Sequence, residues 1–279
     1  MGTRLAGKRA LAIGCGQGFG AVTAHALAAE GASVMVADID ADKTGQVAQD
    51  ITQAGGQGTS HWVDIGEEDA IRELVDATAE RLGGIDVVFN NAAAVGTPAT
   101  FDDSMNPVMA ISADVWDVTM KVNLRGPWLV SKYAIPYMVR NGGGSIINTG
   151  SLAAEAIMPK SGAYSVSKAG VNTLSKVIAT QYGRQGIRCN TINPGYIETR
   201  HIPKEYGETV MARHTLVPRL GNGDDIAMLV VYLASDESGY MTGQSITLDG
   251  GFFAHGPTWA EMSQADSPKN RIGPDGSLR

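Results

Sequence analysis

Cysteine is scarce. The chain holds two among 279 residues, Cys15 and Cys189. Two thiols cannot build a disulfide framework or a cysteine-rich zinc site. Histidine is nearly as sparse, and His25, His61, His201, His214 and His255 show no ligand spacing such as i, i+4. No metal is expected. No apolar run approaches the roughly 18 residues that a membrane span needs. Positive charge is in deficit: 22 Lys and Arg face 29 Asp and Glu, a formal net charge of −7. Such a surface suits phosphate backbones poorly, so nucleic acid is excluded as an expected partner. Arg4, Lys8 and Arg9 precede only a short apolar stretch that meets Gly14, too soon for a signal peptide. Position 6 is Ala6, not the Ser or Thr of a myristoylation signal. The expected compartment is the cytoplasm.

What is present points to a folded core. Apolar residues make up 43% and charged ones 18%, which argues against disorder. The length suits one large domain that needs no metal or disulfide staple. Glycine is in surplus, with 35 residues against a usual ~7% of a chain. No Gly-X-Y period accompanies it, so the surplus must mark tight turns or close backbone approaches.

Short apolar runs alternate with helical patterns. Strands are expected at 9–13, 33–38, 58–64, 86–90, 145–149, 188–192 and 245–248. Helices are expected at 19–30, 42–54, 67–82, 112–123, on to about 140, 161–183 and 224–234. The helix at 67–82 is the best patterned, with Ile71, Leu74, Val75, Thr78 and Leu82 on one face. Ser112 suits an N-cap, and Pro136 should kink its helix. This alternation implies βαβ units and an α/β, Rossmann-type doubly wound parallel sheet in a single domain. Ligands of such a sheet bind at the carboxyl ends of its strands. Residues 1–253 are expected to form that domain, holding cofactor and catalytic sites together. Residues 254–279 read as a tail or covering arm. Residues 95–111 resist assignment.

Gly14, Gly16, Gly18 and Gly20 lie between the first strand and first helix. Glycines there let the backbone approach a pyrophosphate at a helix N-terminus. Two registers compete: Gly16-x-Gly18-x-x-Ala21, and the wider Gly14-x-x-x-Gly18-x-Gly20. The wider one begins directly after the strand, where the tight turn is required. Asp38 ends the second strand, where an acidic side chain accepts hydrogen bonds from an adenosine ribose. Its carboxylate repels a 2′-phosphate and Ile39 supplies no basic replacement, which favours NAD over NADP. Asp64 and Ile65 end the third strand, near the expected adenine edge.

Tyr164 and Lys168 lie at i, i+4 and share a helix face. A tyrosine of pKa ~10 is a poor base at neutral pH. A nearby ammonium stabilises the phenolate, so that Tyr164 can take a proton from an alcohol or return one to a carbonyl. The spacing alone also fits an ordinary surface pair.

Taken together, these residues resemble the short-chain dehydrogenase/reductase family over about residues 8–252. The pattern T-G-x-x-x-G-x-G appears as Ile13-Gly14-x-x-x-Gly18-Phe19-Gly20, with Ile13 in place of Thr. N-N-A-G appears as Asn90-Asn91-Ala92-Ala93, with Ala93 in place of Gly. Asn123, Ser151 and Tyr164-x-x-x-Lys168 match the family's catalytic positions. Asn193-Pro194-Gly195 with Thr199 matches the segment that contacts nicotinamide. The resemblance implies a general acid/base (Tyr164) and a lysine that lowers its pKa and binds the nicotinamide ribose (Lys168). It also implies a donor to the reacting oxygen (Ser151) and an asparagine that holds a water linking Lys168 to solvent (Asn123). Gly14, Gln17, Gly18, Phe19, Gly20, Asp38 and Ile39 would hold the cofactor's adenosine diphosphate half. Asp64, Ile65, Asn91, Ala92 and Ala93 would flank it. Pro194, Gly195, Ile197 and Thr199 would contact its nicotinamide.

The implied activity is NAD-dependent interconversion of a secondary alcohol and a ketone. Ala153, Met158, Tyr196 and Ile202 are expected to line an apolar substrate pocket suited to a hydrophobic or alicyclic alcohol, a dihydrodiol or a steroid-like compound. The alternatives are an acyl-chain ketoreductase using NADPH, against which Asp38 speaks, and an NAD-binding sensor without activity. A halohydrin lyase of the same fold would lack the glycines and Lys168. The helix at 161–183 is apolar over more than one face, and the family assembles through such helices, so a homotetramer is expected.

Overall fold

A computed structural model describes residues 2–94, 103, 106–157, 159–198, 205, 207, 212–256 and 258. Seven parallel strands form one sheet in the order β3-β2-β1-β4-β5-β6-β7. They are β1 (Arg9–Ile13), β2 (Ser33–Asp38), β3 (Gln57–Trp62), β4 (Val87–Asn90), β5 (Gly144–Thr149), β6 (Ile187–Pro194) and β7 (Ser245–Leu248). The central strands show no polar alternation because helices cover both faces of the sheet. All four residues of β4 are buried, as are the last four of β1.

On one face pack α1 (Gly18–Ala29), α2 (Ala41–Gln53) and a late helix, Gly223–Ala234. On the other pack α3 (Glu68–Leu82), a helix over Gly126–Arg140 and another over Gly162–Tyr182. With α4 at Ala113–Met120, these last are α5 (Gly126–Arg140), α6 (Gly162–Tyr182) and α7 (Gly223–Ala234). Strand order reverses between β1 and β4, which opens the crevice at their carboxyl ends where Asp38, Asn90 and Thr149 sit. No helix among the described residues is long and apolar enough to cross a membrane.

The expected helix at 112–123 is divided. Ser112 does cap it, accepting a hydrogen bond from the Val115 amide at 3.3 Å. The α-helical pattern ends at Met120, and Lys121–Arg125 form a π turn that runs directly into α5. Asn123 lies inside that turn. Its side chain accepts from the Ala94 amide at 2.8 Å and donates to Ser167 Oγ at 3.1 Å. The bulge is thus held by contacts to β4's exit and to α6, neither of which local periodicity reports. α5 continues through Pro136 to Arg140. β3 is shifted slightly toward the N-terminus of its expected bounds and β6 runs past its own at both ends, and among the described residues of 95–111 Val108–Ala110 form a 3-10 turn.

Candidate active site

The turn after β1 is built from glycine for steric reasons. Gly14 has φ +75°, and a Cβ there would collide with the backbone N and Cα of Ala92. Gly18 has φ +59° and opens α1, whereas a Cβ on Gly20 would strike the Gly14 carbonyl oxygen. Left-handed backbone therefore falls at positions 14 and 18, which selects the wider of the two registers. Gln17 gives α1 no side-chain cap, and its first turn carries no acidic residue. A Cβ at Gly18 would meet open space. A helix N-terminus with unsatisfied amides and room beside it fits a diphosphate.

Asp38 stands at the end of β2 beside this turn. Its carboxylate accepts from the Gly16 amide at 3.1 Å and from the Asp40 amide at 3.3 Å. Those bonds aim the carboxylate at the glycine turn. Lys43, whose Cβ also borders Gly16, is paired with Asp40 at 2.5 Å. Ile39 is exposed beside Asp38. Asp64 is partly committed, since Oδ1 accepts from the Gly66 amide at 2.8 Å. Ile65 is buried against Gly126.

At the carboxyl end of β5, Ser151, Tyr164 and Lys168 converge. The Ser151 hydroxyl is in hydrogen-bond contact with the Tyr164 phenol. Lys168 Nζ lies 5.6 Å from the Tyr164 ring centroid and donates to the Thr149 carbonyl at 2.7 Å. Lys168 is 2% exposed, and burial lowers its pKa from 10.5 to about 8. Burial also pushes the Tyr164 phenol up, against a smaller downward pull from Ser151. The expected lowering by Lys168 is not what dominates in this site. Desolvation disfavours the charged form of both groups, and the ammonium lies beyond hydrogen-bond reach of the ring.

A family model described as enoyl-(acyl carrier protein) reductase matches residues 14–253. The chain belongs to the short-chain dehydrogenase/reductase family. The 7alpha-hydroxysteroid dehydrogenase of Clostridium sardiniense is 36% identical over 262 residues, covering 92% of this chain and 98% of its own length. The 3-oxoacyl-[acyl-carrier-protein] reductase of Thermotoga maritima is 33% identical over 251 residues, covering 89% of this chain and 98% of its own. A solved structure from Sinorhizobium meliloti, described as a candidate short-chain alcohol dehydrogenase, superposes with TM-score 0.82 at 31% identity. It covers 90% of this chain and 98% of that one. The protein is accordingly an oxidoreductase of a family that uses nicotinamide cofactors.

The family's two departures here have visible consequences. Ile13 offers no hydroxyl to the segment after β4, yet that segment stays anchored. The Asn91 amide donates to the Ile13 carbonyl at 3.0 Å, and Asn91 Nδ2 donates to the Gly14 carbonyl at 2.8 Å. Thr149 Oγ1 completes the link by donating to Asn91 Oδ1 at 3.0 Å. Ala92 and Ala93 are partly exposed beside the glycine turn, so the extra methyl of Ala93 enters no packed core.

Pro194 is buried. Gly195 abuts Asp249, whose Cα lies 2.7 Å from where a Cβ would stand. Ile197 is buried and bridges to Gly221. Phe19 packs partly against the core, while Gln17 is exposed. Ala153 is partly buried two residues beyond Ser151, and Tyr196 meets Phe252 edge-to-face at 5.4 Å. Thr199, Met158 and Ile202 lie outside the described residues, as does His201.

Several contributors carried no local signal. Ser167 donates to the Tyr164 carbonyl at 2.6 Å while accepting from Asn123. Asn193 Oδ1 accepts from the Ser151 amide at 3.1 Å, and its Nδ2 donates to Glu155 at 3.3 Å. A Cβ on Gly150 would collide with that same Asn193 oxygen. The motif around Asn193 was visible in the sequence; its grip on Ser151 spans 42 residues and appears only in the fold.

Proposed function

We propose that the protein interconverts a secondary alcohol and a ketone with NAD(H), and that its substrate is a hydrophobic, alicyclic alcohol. The observation that carries this reading is the convergence of Ser151, Tyr164 and Lys168 beside the crevice at the carboxyl ends of β1 and β4. The glycine turn and α1 would hold the diphosphate, Asp38 the adenosine ribose, and Lys168 the nicotinamide ribose. When bound, the nicotinamide supplies the hydride acceptor or donor. Ser151 orients the carbinol oxygen. In oxidation, the O–H proton would pass to the Tyr164 phenolate, the form that burial disfavours and the hydrogen bond from Ser151 favours, as the carbinol carbon gives up hydrogen with its electron pair, leaving C=O; reduction reverses both transfers. Ser151 also donates to charge developing on that oxygen. The Asn123 side chain accepts from the Ala94 amide and donates to Ser167 Oγ, which fixes the π turn that contains it; a water linking Lys168 to solvent would be held at that turn.

Apolar side chains near the first turn of α6 support the substrate class. A Cβ on Gly162 would lie 3.1 Å from Val108, and Val108, Met109 and Ile157 are exposed. Tyr196 and Phe252 add an aromatic wall. The name of the Clostridium sardiniense relative points the same way. Exposed Trp128 on α5 and Val166 and Val177 on α6 support assembly through these helices, as a homotetramer. The reading is of a cytoplasmic enzyme whose partners are its small-molecule substrate and its own copies.

Mixing with NADH should enhance nicotinamide fluorescence, and cyclic secondary alcohols with NAD should yield absorbance at 340 nm. Binding without any turnover would favour a sensor. Coenzyme choice gives a sharper test. Asp38→Ala removes the carboxylate that opposes a 2′-phosphate, so the NADP/NAD ratio of kcat/KM should rise by about tenfold or more, the size of one lost charge-assisted interaction. An unchanged ratio would place the selectivity elsewhere.

A further inference from the structure

The helix that carries Tyr164 does not cap itself. Ser161, at its N-cap, has φ +66°, the one positive φ outside glycine among the described residues, and its side chain makes no capping bond. The first-turn amides are instead met from 58 residues upstream, by Asp103. The Asp103 carbonyl accepts from the Ser161 amide at 2.9 Å. One carboxylate oxygen accepts from the Ala163 amide at 3.1 Å and the other from the Tyr164 amide at 2.9 Å. Asp103 is 2% exposed, so these bonds are shielded from water. Helix N-termini fray unless their orphan amides are satisfied, and a carboxylate there is also favoured by the helix dipole.

We propose that Asp103 is a positioning residue: it caps α6 from a distant part of the same chain and fixes the first turn on which Tyr164 meets Ser151. The proposal rests on Tyr164 as the acid/base.

The test compares D103A and D103N in the full chain. Readouts are amide hydrogen exchange over residues 161–166, NADH affinity by fluorescence, and turnover of cyclohexanol with NAD. In D103A the first-turn amides should exchange about tenfold faster, the size expected for a lost cap. kcat should fall by a similar factor while NADH affinity stays unchanged. D103N keeps one acceptor and should fall between wild type and D103A in both exchange and kcat. If D103A does not fold, D103N must still show faster exchange confined to the first turn. Wild-type exchange in these variants, or a loss of NADH affinity equal to the loss of kcat, overturns the proposal. Tyr164→Phe separates the two ideas. Turnover retained there removes the acid/base reading, whereas a dead Tyr164→Phe beside a wild-type D103A removes only the role of Asp103.

Discussion

Replacing Tyr164 with phenylalanine is expected to lower turnover by about 10²–10⁴-fold, the usual worth of a positioned acid/base group, with NADH binding intact. The substitution deletes one oxygen and keeps the ring. The ring's packing on α6 is preserved, so α6 retains its first-turn hydrogen bonds to Asp103. Ser151 loses its phenol partner but keeps its backbone anchor on Asn193. Lys168 keeps its bond to the Thr149 carbonyl. The glycine turn and Asp38 lie on other elements and are untouched. The loss should therefore appear in kcat, while the cofactor titration and thermal midpoint stay near wild type. Near-normal turnover would remove Tyr164 from the chemistry.

Gly14→Ala should instead damage cofactor binding and stability together. At φ +75° an alanine pays for left-handed backbone, roughly 1–2 kcal/mol. Its Cβ would also overlap the Ala92 backbone and lie 2.8 Å from the Asn91 carbonyl carbon. Backbone cannot swing aside as a rotamer can, so either the turn or the segment after β4 must shift. Both flank the expected diphosphate and adenine. NADH affinity should fall at least about tenfold, and the midpoint by roughly 2–6 °C. Gly18→Ala is the control. It shares the positive φ but its Cβ meets no protein atom, so its cost to the thermal midpoint is limited to backbone preference, whereas NADH affinity is expected to fall because that space is where the diphosphate would lie. Equal affinities for wild type and Gly14→Ala would show that this close approach is dispensable.

Much of this architecture is legible in the chain because its signals are local. A buried parallel strand is a continuous apolar run, as in β1 and β4, and a helix start after glycines marks the turn proposed to hold the cofactor. Tyr164 and Lys168 announce themselves by helical spacing. What is not legible depends on partners distant in sequence. The π turn at Asn123 is held by Ala94 and Ser167, and the cap of α6 comes from Asp103. Protonation was the least accessible property. Spacing predicts an ammonium near a phenol, but burial of both groups opposes charge on each, and burial is a property of the whole fold. Even the Ile13 departure reads differently in three dimensions, because Asn91 and Thr149 retain the connection that a hydroxyl at position 13 would serve.

The central claim is direct hydride transfer between a carbinol carbon and a nicotinamide in this site. The most direct measurement uses cyclohexanol deuterated at the carbinol carbon, NAD and the wild-type protein, with mass analysis of the reduced cofactor. The account predicts that the deuterium appears on the nicotinamide ring, with cyclohexanone formed in equal amount. Tyr164→Phe should form neither product at a comparable rate. Reduced cofactor without deuterium, or ketone formed without reduced cofactor, would contradict it.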